Sequence, residues 1–118
     1  MVDLTEFESI SPYTDEQASE ALGKLADHPA VAQASRYFFP EESPDFLKNV
    51  LKQIKTIDQF QVLVMQRFVR WVLEHTAKNF SYDGISNIDT SKKFLALSNH
   101  RDIIMDPAIT QLVLHTNG

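Results

Sequence analysis

A mostly α-helical chain is the fold class this sequence predicts: about four helices over residues 1–78, then the first β-β-α of a truncated mixed α/β domain over residues 79–118. Three observations predict it. Apolar residues recur at i, i+3, i+4 and i+7 through the front of the chain, the period of one helix face. Helix-start signatures punctuate that front at Thr14, at Ser43–Pro44 and at Thr56. Past Asn79 the helical period lapses, and short apolar runs alternate with polar or glycine positions, which is the texture of strands and loops.

The first 13 residues read as an irregular leader. Thr14 is a helix N-cap, and Gln17 three residues on completes a capping box. The helix that follows, DEQASEALGKLAD, carries Ala18, Ala21, Leu22 and Leu25 on one stripe. Its first turn is acidic, where the helix dipole favours negative charge. Pro29 ends it or opens the next helix, an apolar one over Pro29–Phe38. That helix runs into Tyr37, Phe38, Phe39 and Pro40, which reads as packing between helices or as a groove for an acyl chain or a partner.

Ser43–Pro44, as N-cap and first helical residue, starts a helix that buries Phe46, Leu47, Val50, Leu51 and Ile54. Lys48, Lys52 and Lys55 form a stripe beside that face, either a solvated surface or a contact for an anionic membrane. Thr56 and Gln59 repeat the capping-box pattern. The longest helix runs from about Ile57 to Lys78, with Phe60, Leu63, Val64, Phe68, Trp71, Val72 and His75 at core-facing spacing. Arg67 and Arg70 flank the stripe. His75 reads as structural, since no second ligand lies at helical spacing for a metal.

Phe80, Tyr82, Ile85 and Ile88 read as a strand and loop broken at Gly84. Asp89–Lys93 is turn-like. Phe94–Leu97 reads as a short buried strand. Asp106–Pro107 opens a last helix, Ala108 to about Thr116, and Asn117–Gly118 stops it. A strand pair with one helix cannot form a sheet core alone, so the second unit looks unfinished.

Composition narrows the function. With 118 residues the chain supports one domain, or one and an appendage. That excludes a complete protein kinase or TIM barrel. The absence of cysteine excludes disulfides, a thiol nucleophile and Cys-ligated metal. A net charge of −5 argues against nucleic acid as a partner. The charge is uneven, however: residues 1–45 carry a net of −8 and residues 46–118 a net of +3. The mildly basic back is a solvated face or a surface for phosphates. The acidic start is no secretory signal, and the longest apolar runs, Val62–Met65 and Phe94–Leu97, are far too short to span a bilayer.

The stretch that carries chemistry is Phe94 to Pro107, FLALSNHRDIIMDP. His100 follows an apolar run and sits in a polar turn, with Asp102 and Asp106 downstream. Imidazole titrates near neutral pH. A carboxylate bonded to one ring nitrogen leaves the other able to take a proton from a hydroxyl. The plainer roles stay open: Asp106 before Pro107 suits a helix N-cap, Asp102 suits a turn cap, and Asn99 suits a tight turn. His100-Arg101-Asp102 also matches a kinase catalytic tripeptide. That loop needs Asn five residues after its Asp, and position 107 is Pro.

Ser98-Asn99-His100-Arg101-Asp102-Ile103-Ile104-Met105-Asp106 resembles the first motif of the glycerolipid acyltransferases, the glycerol-3-phosphate and 1-acylglycerol-3-phosphate acyltransferase superfamily. Ile10-Ser11-Pro12-Tyr13-Thr14-Asp15-Glu16 and Tyr37-Phe38-Phe39-Pro40 resemble segments of a bacterial branch of it. The resemblance implies that His100 is the general base toward an acceptor hydroxyl and that an aspartate orients it. The usual spacing puts that aspartate at position 105, which is Met105. Asp106 is one residue late and is preferred; Asp102 is early and remains the alternative. Arg101 matches a position often basic or polar, with at most a substrate contact.

The resemblance further implies an acyl donor, acyl-CoA or an acyl-carrier-protein thioester, bound as substrate and no separate cofactor or metal. It implies a lipid-precursor acceptor, a cytoplasmic setting and peripheral contact with the inner membrane face. The superfamily's later motifs have no counterpart in the sequence, so the expectation is an N-terminal portion that is inactive alone; the alternative is a non-catalytic helical module that docks on a partner or a membrane. Unpaired strand edges would invite a homodimer.

Overall fold

The computed structural model describes residues 3, 5–99 and 101–118. The chain divides into two compact units, residues 1–64 and residues 65–118.

In the first unit, a short 3₁₀ turn, Thr5–Ile10, stands where an irregular leader was expected. Asp3 nucleates it, since its Oδ1 accepts from the Thr5 amide at 3.0 Å and from the Thr5 hydroxyl at 2.7 Å. Helix α1, Asp15–Leu25, has the expected capping box: Thr14 Oγ1 accepts from the Gln17 amide, and Gln17 Oε1 accepts from the Thr14 amide. Helix α2 occupies Pro29–Phe38. Its cap is His28, whose Nδ1 accepts from the Ala30 amide at 3.2 Å, while Pro29 takes a position whose N–H has no helical partner anyway.

Helix α3, Phe46–Gln53, begins two residues after Pro44, and its N-cap residue Asp45 makes no side-chain cap bond. The missing cap comes from α2. Ser35 Oγ accepts from the Leu47 amide at 3.2 Å. Helix α4, Ile57–Phe60, is capped by Thr56, whose Oγ1 accepts from the Gln59 amide at 3.1 Å. Gln59 Oε1 accepts from the Lys55 amide rather than from Thr56, so this box closes one residue early. Asp15 Oδ1 accepts from the Ile57 amide at 2.8 Å and satisfies another first-turn donor of α4.

The core of this unit is Ala26, Val31, Phe39, Leu47, Leu51, Ile54 and Val64. The α3 face, Leu47, Val50, Leu51 and Ile54, follows the helical period, and α1 and α2 both pack against it. Phe39 and Phe46 are in contact with ring centroids 5.3 Å apart, so part of the aromatic cluster is packing, while Tyr37 stays exposed. Leu25 is 49% exposed and Ala26 takes the buried place.

The long helix expected over 57–78 is interrupted. Residues Gln61–Met65 form a π turn, and α5 then runs Gln66–Thr76. A π turn closes i→i+5 bonds and inserts a residue, so a face extrapolated at 3.6 residues per turn slips. Leu63, expected in the core, is exposed, and the buried positions Val64 and Val69 are five apart.

In the second unit, α5 packs against α6, Met105–Thr116, around Val69 and Leu112. Trp71 stacks on His75 at 4.6 Å, and His75 Nδ1–H donates to the Trp71 carbonyl at 2.8 Å. His75, expected on the core face, is exposed; its contacts are with Trp71 one turn earlier on the same helix. The described residues between 77 and 104 are irregular apart from a 3₁₀ turn, Ile85–Asn87, entered through Gly84 at φ 84°.

The expected β-β-α is absent: no strand occurs among the described residues. Phe94, Leu95 and Leu97 lie exposed in irregular chain. A four-residue apolar run has no period that separates a strand from a loop, and a strand holds only when a neighbour takes up its backbone bonds. The dimer expected from strand edges loses its basis for the same reason. Among the described residues no helix is long and apolar enough to cross a membrane.

Candidate functional site

The chemistry-bearing segment enters α6 through a turn built by two aspartates. Asp102 Oδ1 accepts from the amides of Ile104 at 2.8 Å and Met105 at 2.7 Å. It therefore satisfies donors at the start of α6, whose N-cap residue, Ile104, has no side-chain cap bond of its own. The turn-cap role read from the sequence for Asp102 is the one it plays.

Asp106 is not the N-cap of α6. The helix begins one residue earlier, at Met105, and Pro107 is its third residue. An N-cap oxygen reaches forward to donors two or three residues on. Here Asp106 Oδ2 reaches back, accepting from the amides of Arg101 at 2.6 Å and Asp102 at 2.9 Å. Position in the first turn also suits its charge to the helix dipole. The two bonds tie the start of α6 to the residues that directly follow position 100.

A carboxylate has about four acceptor sites, so two amide bonds do not exhaust Asp106. Asp106 is half-buried and Asp102 exposed. Arg101 is exposed, and its backbone is held by Asp106. His100, the proposed base, lies outside the described residues. Upstream, the Asp89–Lys93 turn forms as expected: the Ser91 amide donates to Asp89 Oδ1 at 3.1 Å, and Lys92 Nζ pairs with Asp89 Oδ2 at 3.1 Å. The Ser91 hydroxyl foremost, then Lys92, holds the Asp89 carboxyl below its ordinary value.

Two grooves open in this unit. The larger, about 370 Å³, is lined by Leu73, Ala77, Phe80, Tyr82 and Leu112 together with Arg70 and Lys78. Arg70 Nη2 donates to Thr116 Oγ1 at 3.3 Å across it. The second, about 260 Å³, is lined by Ile85, Ile88, Phe94, Leu114 and His115. The sequence marks Phe80 and Tyr82 as strand-and-loop positions, and nothing local to them marks a groove. Among the described residues no group of three or more His, Asp and Glu could hold a metal ion.

The lysine stripe resolves differently. Lys48 and Lys52 both pair with Asp27 Oδ1, at 3.1 and 2.9 Å, so two of its three charges are engaged.

Compared with family models, with curated proteins and with solved structures, the chain matches none.

Proposed function

We propose that this chain carries the base-bearing motif of an acyltransferase that moves an acyl group from a thioester donor to a glycerol-phosphate-type hydroxyl. His100 takes the proton of the acceptor hydroxyl. The oxygen attacks the thioester carbonyl, the tetrahedral intermediate collapses with cleavage of the C–S bond, and the departing thiolate recovers the proton from the imidazolium. Asp106 positions the segment that carries His100. The reaction belongs at the cytoplasmic face of a membrane, where lipid precursors are acylated.

The observation that supports this reading is the pair of bonds from Asp106 Oδ2 to the Arg101 and Asp102 amides. They make the late aspartate of the motif part of the same turn as residue 101, despite its offset from the usual spacing. Asp102 accepts from the Ile104 and Met105 amides within its own turn, and it remains the alternative partner.

The test uses the protein expressed from the whole reading frame that encodes this chain. Thiol release from acyl-CoA or acyl carrier protein is followed with glycerol 3-phosphate or a lysophosphatidate as acceptor. His100→Ala should lower kcat by about 10²–10⁴, the usual worth of a general base. Asp106→Asn should lower it more than Asp102→Asn. Full activity in His100→Ala sinks the reading.

A further inference from the structure

We propose that His28 makes the start of α2 a proton-operated cap: the neutral imidazole closes the first turn of the helix, and a proton taken from solvent opens it. The device lies in the first unit and is independent of the acyl-transfer reading.

A backbone amide can only donate, so the bond from the Ala30 N–H to His28 Nδ1, 3.2 Å long, requires a lone pair at Nδ1. The proton of the neutral ring therefore sits on Nε2. Imidazolium carries N–H at both positions and has no acceptor to offer. Imidazole is the side chain whose charge changes between about pH 5 and about pH 8, and this one is exposed to solvent. The residues preferred at an N-cap are Ser, Thr, Asp and Asn. Thr14 and Thr56 cap α1 and α4 with hydroxyls, which keep their lone pairs throughout that range. His28 differs from them in that a single proton removes its cap.

The surroundings oppose the charged ring. An imidazolium would stand at the positive end of the α2 dipole, and α2 has no acid in its first turn to offset it. On α1, Lys24 is paired with Glu20; on α3, which packs against both α1 and α2, Lys48 and Lys52 reach to the corner. Asp27, the acid next to His28 in the chain, has its Oδ1 shared by those two lysines. Arg36 lies in the last turn of α2. The turn that the cap closes also carries packing. Val31, whose amide donates to the His28 carbonyl at 3.0 Å, is 6% exposed in the core of the unit, and Ser35 one turn on caps α3. Opening at His28 thus loosens α2 from the end that seats Val31.

The experiment is hydrogen exchange, read by mass spectrometry, on the same full protein. Exchange of the α2 amides, corrected for the intrinsic pH dependence of exchange, is compared at the two ends of the imidazole range, about pH 8 and about pH 5. Acid should raise opening of the first turn about five-fold, the usual worth of an N-cap. His28→Asn keeps a cap oxygen that a proton in this range does not remove, so its α2 should stay protected at both values. His28→Ala should be open at both. His75→Asn, exposed on α5, should respond to acid as the parent does. The imidazole nitrogen shifts, read by NMR on histidine-labelled protein at the upper value, should show the His28 proton on Nε2. An α2 equally protected at both values, as when the imidazolium pairs with Asp27 and keeps the turn, overturns the proposal. An acid response that survives in His28→Asn overturns it, and so does a proton on Nδ1. If His28→Ala fails to fold, as circular dichroism would report, the Asn variant and the position of the proton still decide.

Discussion

Ser35 Oγ accepts a hydrogen bond from the Leu47 backbone N–H at 3.2 Å, and Ser35 is fully buried. The bond links α2 to the first turn of α3. Leu47 would otherwise be an orphan first-turn donor in an apolar setting, because Asp45 makes no cap bond.

Ser35→Ala leaves that buried amide without its acceptor. The expected loss is about 1–3 kcal/mol of unfolding free energy, measured by urea denaturation of the variant and parent. Asp45→Ala should lose far less, since its side chain caps nothing. Equal losses in the two would place the α3 cap at Asp45.

Ile54 is 1% exposed and closes the apolar face of α3, whereas Leu25 is 49% exposed. Ile54→Ala should cost about 2–5 kcal/mol through lost transfer energy and a residual cavity. Leu25→Ala should lie within about 0.5 kcal/mol of the parent, as surface substitutions do. Both residues are apolar and helically spaced in the sequence, so the contrast tests the packing and not the pattern.

Asp27 accepts from Lys52 and Lys48, and these bonds, Lys52's first, lower its carboxyl pKa. Between the lowered folded value and the ordinary unfolded one, the unfolded chain binds more protons. Stability from this group is therefore present above the ordinary carboxylate range and is lost as pH falls through the folded value. Asp27→Asn should flatten that acid-side part of the Tm–pH curve, and the two curves should converge at low pH. The effect should be small and should shrink in high salt, because all three side chains are exposed to water. A variant curve parallel to the parent's throughout would show that the pair contributes nothing to folding.

Gly84 enters the Ile85–Asn87 turn at φ 84°, and a Cβ there would meet nothing closer than the Asn87 side-chain amide at 3.6 Å. Space permits alanine and the backbone does not favour it. Gly84→Ala should cost about 1–2 kcal/mol, the left-handed penalty of an L-residue. A thermal melt checks this, and Asp83→Ala should be milder because it removes one exposed bond, the Gly84 amide to Asp83 Oδ1.

The residues themselves determined the parts of this protein whose causes are local. Thr14 and Gln17 are three positions apart, so their reciprocal bonds form wherever the helix starts. Pro29–Phe38 carries its own start and its own apolar face, and the helix has those bounds. Asp102 caps donors two and three residues on, within reach of its short side chain. Tertiary structure decided the rest. Burial chose Ala26 over Leu25, because which side of a stripe meets α3 depends on where α3 lies. The cap of α3 came from Ser35, twelve residues upstream. The π turn at Gln61–Met65 reset a face that a constant period could not follow. At the candidate site, Asp106 turned back to the Arg101 and Asp102 amides instead of forward into α6, since the fold of the preceding turn brought those donors to it. Phe94–Leu97 had the composition of a strand, yet a strand's hydrogen bonds lie on another segment, and no described segment supplies them.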